Sequence, residues 1–140
     1  MSRTEADRGA AGASPAVAEA ELAVARMGEM SADLRGCAVL DASGELLASS
    51  GGAGWGRAGD AFLAAADEAA GEVVSQAHVA TEDGEAFAVR HHGLAMVAVA
   101  ERFTLGSLML FDMRTVLRDL ASGEGVPDRR ARRPGNGVGG

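Results

Sequence analysis

Fourteen residues near the front of the chain, Cys37-Ala-Val-Leu-Asp-Ala-Ser-Gly-Glu-Leu-Leu-Ala-Ser-Ser50, constrain its fold more than any others. Two apolar runs, residues 37–40 and 46–48, flank Asp41-Ala-Ser-Gly44. Asp and Ser hydrogen-bond back to their own backbone, and Gly44 takes a positive φ at no steric cost, so the quartet is turn chemistry. The stretch predicts a β-hairpin with strands over 36–42 and 45–50.

The elements on either side follow from spacing and punctuation. Ser14 is a helix N-cap with Pro15 at the first helical position. A helix is predicted over 15–34, with Val17, Leu22, Val24, Met27, Met30 and Leu34 as its apolar face. Gly28 costs a helix interior about 1 kcal/mol against Ala, so the helix is expected to bend or divide near Gly28–Ser31. A second, alanine-rich helix is predicted over 57–72, with Ala58, Phe62, Ala65 and Ala69 on one face.

Strands are predicted over 73–81, 85–92 and 94–100, with the first two joined at Asp83-Gly84 and the third entirely apolar, as a central strand would be. Residues 105–121 read as a last helix with Thr104 as its N-cap. Short links within the meander force antiparallel neighbours. The order α-β-β-α-β-β-β-α thus predicts an α+β fold, one five-stranded antiparallel sheet with helices on its faces.

The domain is expected over residues 14–121. Residues 1–13 and the Gly/Arg-rich 122–140 bury too little apolar surface to offset ordering entropy and read as disordered tails. Residues 14–121 carry 16 acidic and 7 basic side chains, within a net charge of −7 for all 140 residues. Phosphate contacts need a basic face, so nucleic acid is not expected as the main partner. All 13 basic residues are arginine, which excludes a Walker A lysine, a Schiff-base lysine and a Ser-Lys dyad and fits a GC-rich, bacterial coding bias. No secretory signal opens the chain and no apolar run reaches the roughly 20 residues of a membrane span, so a cytoplasmic protein is expected.

Candidate chemistry is sparse. Gly54-Trp-Gly-Arg-Ala-Gly59 matches G-x-G-x-x-G, but it follows the second arm of a hairpin, whereas a dinucleotide site needs a parallel βαβ unit. His91 and His92 are adjacent in a strand and point to opposite faces, and His78 lies on a neighbouring strand, so no metal site is assigned. Cys37, the lone cysteine, cannot form an internal disulfide and reads as a small core hydrophobe. No carboxylate pair or nucleophile elbow is placed by spacing; no enzyme activity and no cofactor are expected. Trp55 is either a cap on the core or an exposed interface anchor.

The segment Arg35-Gly-Cys-Ala-Val-Leu-Asp-Ala-Ser-Gly-Glu-Leu-Leu-Ala-Ser-Ser50 resembles the opening hairpin of Roadblock/LC7 domains, with their D-x-x-G turn. Phe103-Thr-Leu-Gly106 resembles the loop leading into that family's last helix, and the element order agrees over about residues 15–121. The resemblance implies a profilin-like sandwich, the sheet lying between a central helix and two terminal helices. It implies a homodimer that regulates or scaffolds a small Ras-like GTPase through paired central helices, which would place Trp55, Arg57, Asp60, Asp67 and Glu68 at or near the partner surface. The alternative is a PAS-like or profilin-like small-molecule sensor or a structural interaction module.

Overall fold

The computed structural model describes residues 17–50 and 55–123. The elements in chain order are α1 (Val17–Met30), β1 (Leu34–Leu40), β2 (Leu46–Ser49), α2 (Trp55–Ala70), β3 (Gln76–Ala80), β4 (Glu85–His91), β5 (Leu94–Ala100) and α3 (Gly106–Ser122). The Ser14-Pro15 helix start, residues 51–54 and both predicted tails, apart from Ser122 and Gly123, lie outside the described residues.

All five strands form one antiparallel sheet in the order β2-β1-β5-β4-β3. The two hairpins are joined by the pairing of β1 with β5, in which Cys37, Ala38 and Val39 lie opposite Ala98, Val97 and Met96. β5 is therefore central, as its unbroken apolar run predicts. Successive strand residues alternate between faces, and each face carries its own core. On one, Cys37, Val39, Phe87, Val89 and Met96 pack beneath α1 and α3, which supply Met27, Met113 and Leu117. On the other, Leu40, Ala88, Ala95 and Val97 meet Leu63 of α2, with Phe62 and Ala77 at the margin.

Three sequence expectations shift. The first helix ends at Met30, inside the zone marked by Gly28, and Leu34 opens β1 instead. Its buried residues are Ala20, Ala23, Val24 and Met27, while Val17 and Leu22 are exposed. α2 is rotated from the predicted face: Gly59 and Leu63 are buried, and Ala58, Ala65 and Ala69 are exposed. The reason is a close approach, since a Cβ on Gly59 would stand 3.2 Å from Leu40 Cδ1. Helix and sheet touch where no side chain stands between them. Finally, the residue preceding α3 is Leu105, in an extended conformation, and no side chain caps the helix; the Thr104 hydroxyl donates to the Glu101 carbonyl. α3 closes on Gly123, left-handed at φ 78°, whose N–H donates to the carbonyls of Asp119 and Leu120.

The turns at Gly44 and Gly84 use glycine for different reasons. Gly44 has φ +88°, and Asp41 Oδ1 accepts from the Ser43 and Glu45 N–H groups. Gly84 has no positive φ; a Cβ there would lie 2.6 Å from the Ala100 carbonyl oxygen. Replacement Gly84→Ala is expected to cost about 1–3 kcal/mol, because backbone must move. In contrast, a Cβ on Gly28 meets nothing within 4 Å, and Gly28→Ala is expected to stabilise by about 1 kcal/mol. Urea midpoints of the two variants should move in opposite directions.

Candidate functional site

α2 lies over β1 and β2 and leaves the β3–β4 half of its sheet face thinly covered. There Ala77 and Ala86 are half-buried and Val79 is 45% exposed. β3 pairs only with β4, so its outer backbone edge has no strand partner among the described residues. Small residues explain the thin cover. Leu63 is the only large side chain that α2 buries fully among those described, so alanine covers most of the helix and little of the sheet.

At about 100° per residue, α2 shows three sides besides its buried one. Arg57, Ala61, Ala64 and Glu68 project outward, and all are exposed. Ala58, Ala65 and Ala69 form an exposed flank of small residues. Asp60 and Asp67 lie on the opposite flank, where Asp60 borders a cleft of about 340 Å³ that Leu40, Leu63, Leu94, Arg90 and His92 also line. Of the five residues the sequence picks out, Arg57 and Glu68 thus share an outward line, and Asp60 and Asp67 turn away from it. Trp55 is the first residue of α2, and its side chain lies outside the described residues.

Asp67 has structural partners. Arg90 of β4 clamps it with two hydrogen bonds, Nη1 to Oδ1 at 2.8 Å and Nη2 to Oδ2 at 2.9 Å. Nη1 also donates to the Val74 carbonyl, and the Val74 N–H donates to Asp67 Oδ1. The side chains of the pair are about a quarter exposed. Arg90, foremost, and the Val74 N–H hold the Asp67 carboxyl below its ordinary range. This fork-to-fork geometry fixes the end of α2 and the start of β3 against the sheet. The signal in the sequence was an arginine in register with Ala86 and Ala88, on a strand face otherwise built from small residues.

The other face holds a carboxylate that sequence reasoning missed. Glu85, 8% exposed, accepts the Phe103 N–H at 2.7 Å and lies 2.7 Å from His78 Nε2. His78 stacks on Phe87, with centroids 4.3 Å apart. It is thus engaged away from His91 and His92. Those two come closer than strand alternation implies, with ring centroids 4.2 Å apart, because His92 turns at φ 50°. Among the described residues no three His, Cys, Asp or Glu side chains are grouped to hold a metal ion. Burial pushes the Cys37 thiol up to about 11, against a smaller opposing contribution from Ser50, so it is held as a thiol. No described helix is long and apolar enough to cross a membrane.

No protein-family model matches the sequence, and no curated protein matches it. Solved structures match it in fold. A Roadblock/LC7 domain from Streptomyces avermitilis superposes with a TM-score of 0.63 at 11% identity, over 76% of this chain and 98% of that one. Myxococcus xanthus MglB gives 0.59 at 14% identity, over 76% and 87%. The gliding protein MglB of Thermus thermophilus gives 0.60 at 13%, over 76% and 88%. The chain has the Roadblock/LC7 fold that its opening hairpin and last-helix loop resemble.

Because the Asp67 carboxyl titrates lower in the folded protein than in the unfolded chain, its pair with Arg90 contributes fully above the unfolded value, about 4. The contribution is lost as pH falls through the folded value. Asp67→Asn is expected to lower the urea midpoint at neutral pH and to flatten its decline in acid. A decline unchanged in the variant would show that the pair contributes nothing to acid stability.

Proposed function

We propose that the protein is a non-enzymatic module that dimerises through its α2 face and regulates or scaffolds a small Ras-like GTPase. The observation that carries this reading is the combination of a β3 edge with no strand partner among the described residues and a thinly covered, small-residue surface beside α2. A free edge strand is a template for pairing with another chain. Two copies joined antiparallel at β3 would extend the sheet and bring two α2 helices together over it, burying Val79 and the alanine flank. The fold shared with MglB and with Roadblock/LC7 domains supports the same reading. Arg57 and Glu68, on the outward line of α2, would then face the GTPase, while Asp67 acts by holding α2 in place.

The cleft beside α2 gives little support to the small-molecule sensor. A ligand site needs polar groups that converge on the ligand. Here Asp67 and Arg90 bind each other and Val74, and Asp41 binds its own turn. Asp60, Ser75, His91 and His92 also line the cleft, with the two histidine rings set against each other.

Sedimentation equilibrium at micromolar concentration should give a dimer for the natural chain and a monomer for Val79→Asp. Bacterial small GTPases presented in their GTP- and GDP-bound forms should include one that binds the dimer, with affinity about tenfold weaker for Arg57→Glu combined with Glu68→Arg. A natural chain that remains monomeric, or that retains no GTPase in either nucleotide state, would overturn the proposal.

A further inference from the structure

A second surface lies on the opposite face of the sheet from α2. Phe103 is 82% exposed, and Leu105, Leu108 and Phe111 are 64%, 54% and 57% exposed. Leu108 and Phe111 stand three apart and are neighbours along one line of α3, and Leu105 is the extended residue just before the helix. That line runs opposite the buried Met109, Met113 and Leu117, and therefore away from the sheet. Scattered exposed apolar residues need no explanation, but four large ones within residues 103–111, two of them phenylalanines, do.

Phe103 is also held in an unusual state. It has φ +66°, a region that aromatic residues seldom occupy. The buried carboxylate of Glu85 accepts its N–H and so keeps the backbone in place. The Arg102 guanidinium lies 4.6 Å above its ring. A strained backbone fastened from the core, with its aromatic ring left in water, is the kind of outlier that points to use.

Charge identifies the occupant. Arg26, Arg35 and Arg90 pair with Asp119, Glu101 and Asp67. Arg102, Arg114 and Arg118 have no carboxylate partner among the described residues, although the domain carries far more carboxylates than arginines. All three border the apolar line. Arg114 reaches Gln76 of the β3 edge, and Arg118 acts on His91 of β4, so both lie on the side of α3 towards β4 and β3. We infer that α3 is a docking surface for an acidic amphipathic helix of another protein. The partner's apolar residues would cover Phe103, Leu108 and Phe111, and its carboxylates would meet Arg114 and Arg118.

A flat anionic membrane fits less well. α1 shares this face of the sheet, exposes Glu21 and Glu29 and half-buries Glu19, and anionic headgroups would have to approach these carboxylates. A helix laid along the β3 side of α3 avoids them.

The test is a selection. A displayed library of amphipathic helices of roughly 18 residues, five turns, with random flanking charges, is panned on the full-length protein. The enriched helices are expected to be acidic. Their affinity should fall about tenfold or more on Leu108→Ser with Phe111→Ser, and equally on Arg114→Glu with Arg118→Glu. Exchange of Glu for Lys in an enriched helix should restore its binding to the charge-reversed variant, a rescue that misfolding could not produce. Basic or neutral winners, absence of any winner, or indifference to both double variants would overturn the inference. So would sedimentation of the protein with phosphatidylserine vesicles that both double variants abolish, which would assign the surface to lipid. The outcome is independent of the α2 face, since Val79→Asp should leave helix binding unchanged.

Discussion

The structure depends on one pairing, that of β1 with β5. Each strand begins in its own hairpin, and the first residues of the two lie 60 positions apart in the chain. Their ladder joins a two-stranded and a three-stranded unit into a single sheet. A lone hairpin is marginal in water, whereas a sheet of this width can carry a core on each face. Cys37, Val39 and Met96 look one way from the ladder, and Leu40, Ala95 and Val97 the other. Without this pairing α2 and the α1–α3 pair would have no common floor.

The two faces solve the packing problem differently. Under α1 and α3 the sheet presents Phe87, Val89 and Met96, and the helices answer with methionine, valine and leucine, giving a thick core. Under α2 the sheet presents mostly alanine and valine, and the helix answers with Gly59 and Leu63. Close approach replaces bulk. Burial of so little apolar area leaves α2 dependent on polar fastening at its end, which Arg90, Asp67 and Val74 provide. It also leaves exposed small-residue surface next to a β3 edge with no strand partner among the described residues, so the thin core and that uncovered surface are two consequences of one composition.

Legibility in the sequence followed the range of the forces involved. The D-x-x-G turn was readable because Asp41, Ser43 and Gly44 act on their own backbone. The central strand was readable because residues 94–100 are apolar without interruption. The rotation of α2 was not, because alanine is nearly indifferent to exposure and a buried glycine carries no hydrophobic signal. Glu85 was not, because its partners, His78 and the Phe103 N–H, come from a neighbouring strand and a later loop. Arg57 and Glu68 lie along the outward line of α2 as their spacing allows, but spacing could not distinguish them from Asp67, whose partner is on β4.

By itself the sequence determined the kinds and order of elements, the antiparallel sense of the hairpins, and the absence of lysine chemistry. These rest on interactions within a few residues or on composition. The tertiary structure alone decided which strand pairs with β1, which face of α2 is buried, and which charges are neutralised. Those outcomes depend on side chains distant in the chain arriving at the same place. The same residue types therefore became a clamp at Asp67 and Arg90 and, at Arg114 and Arg118, a basic border with no carboxylate partner among the described residues.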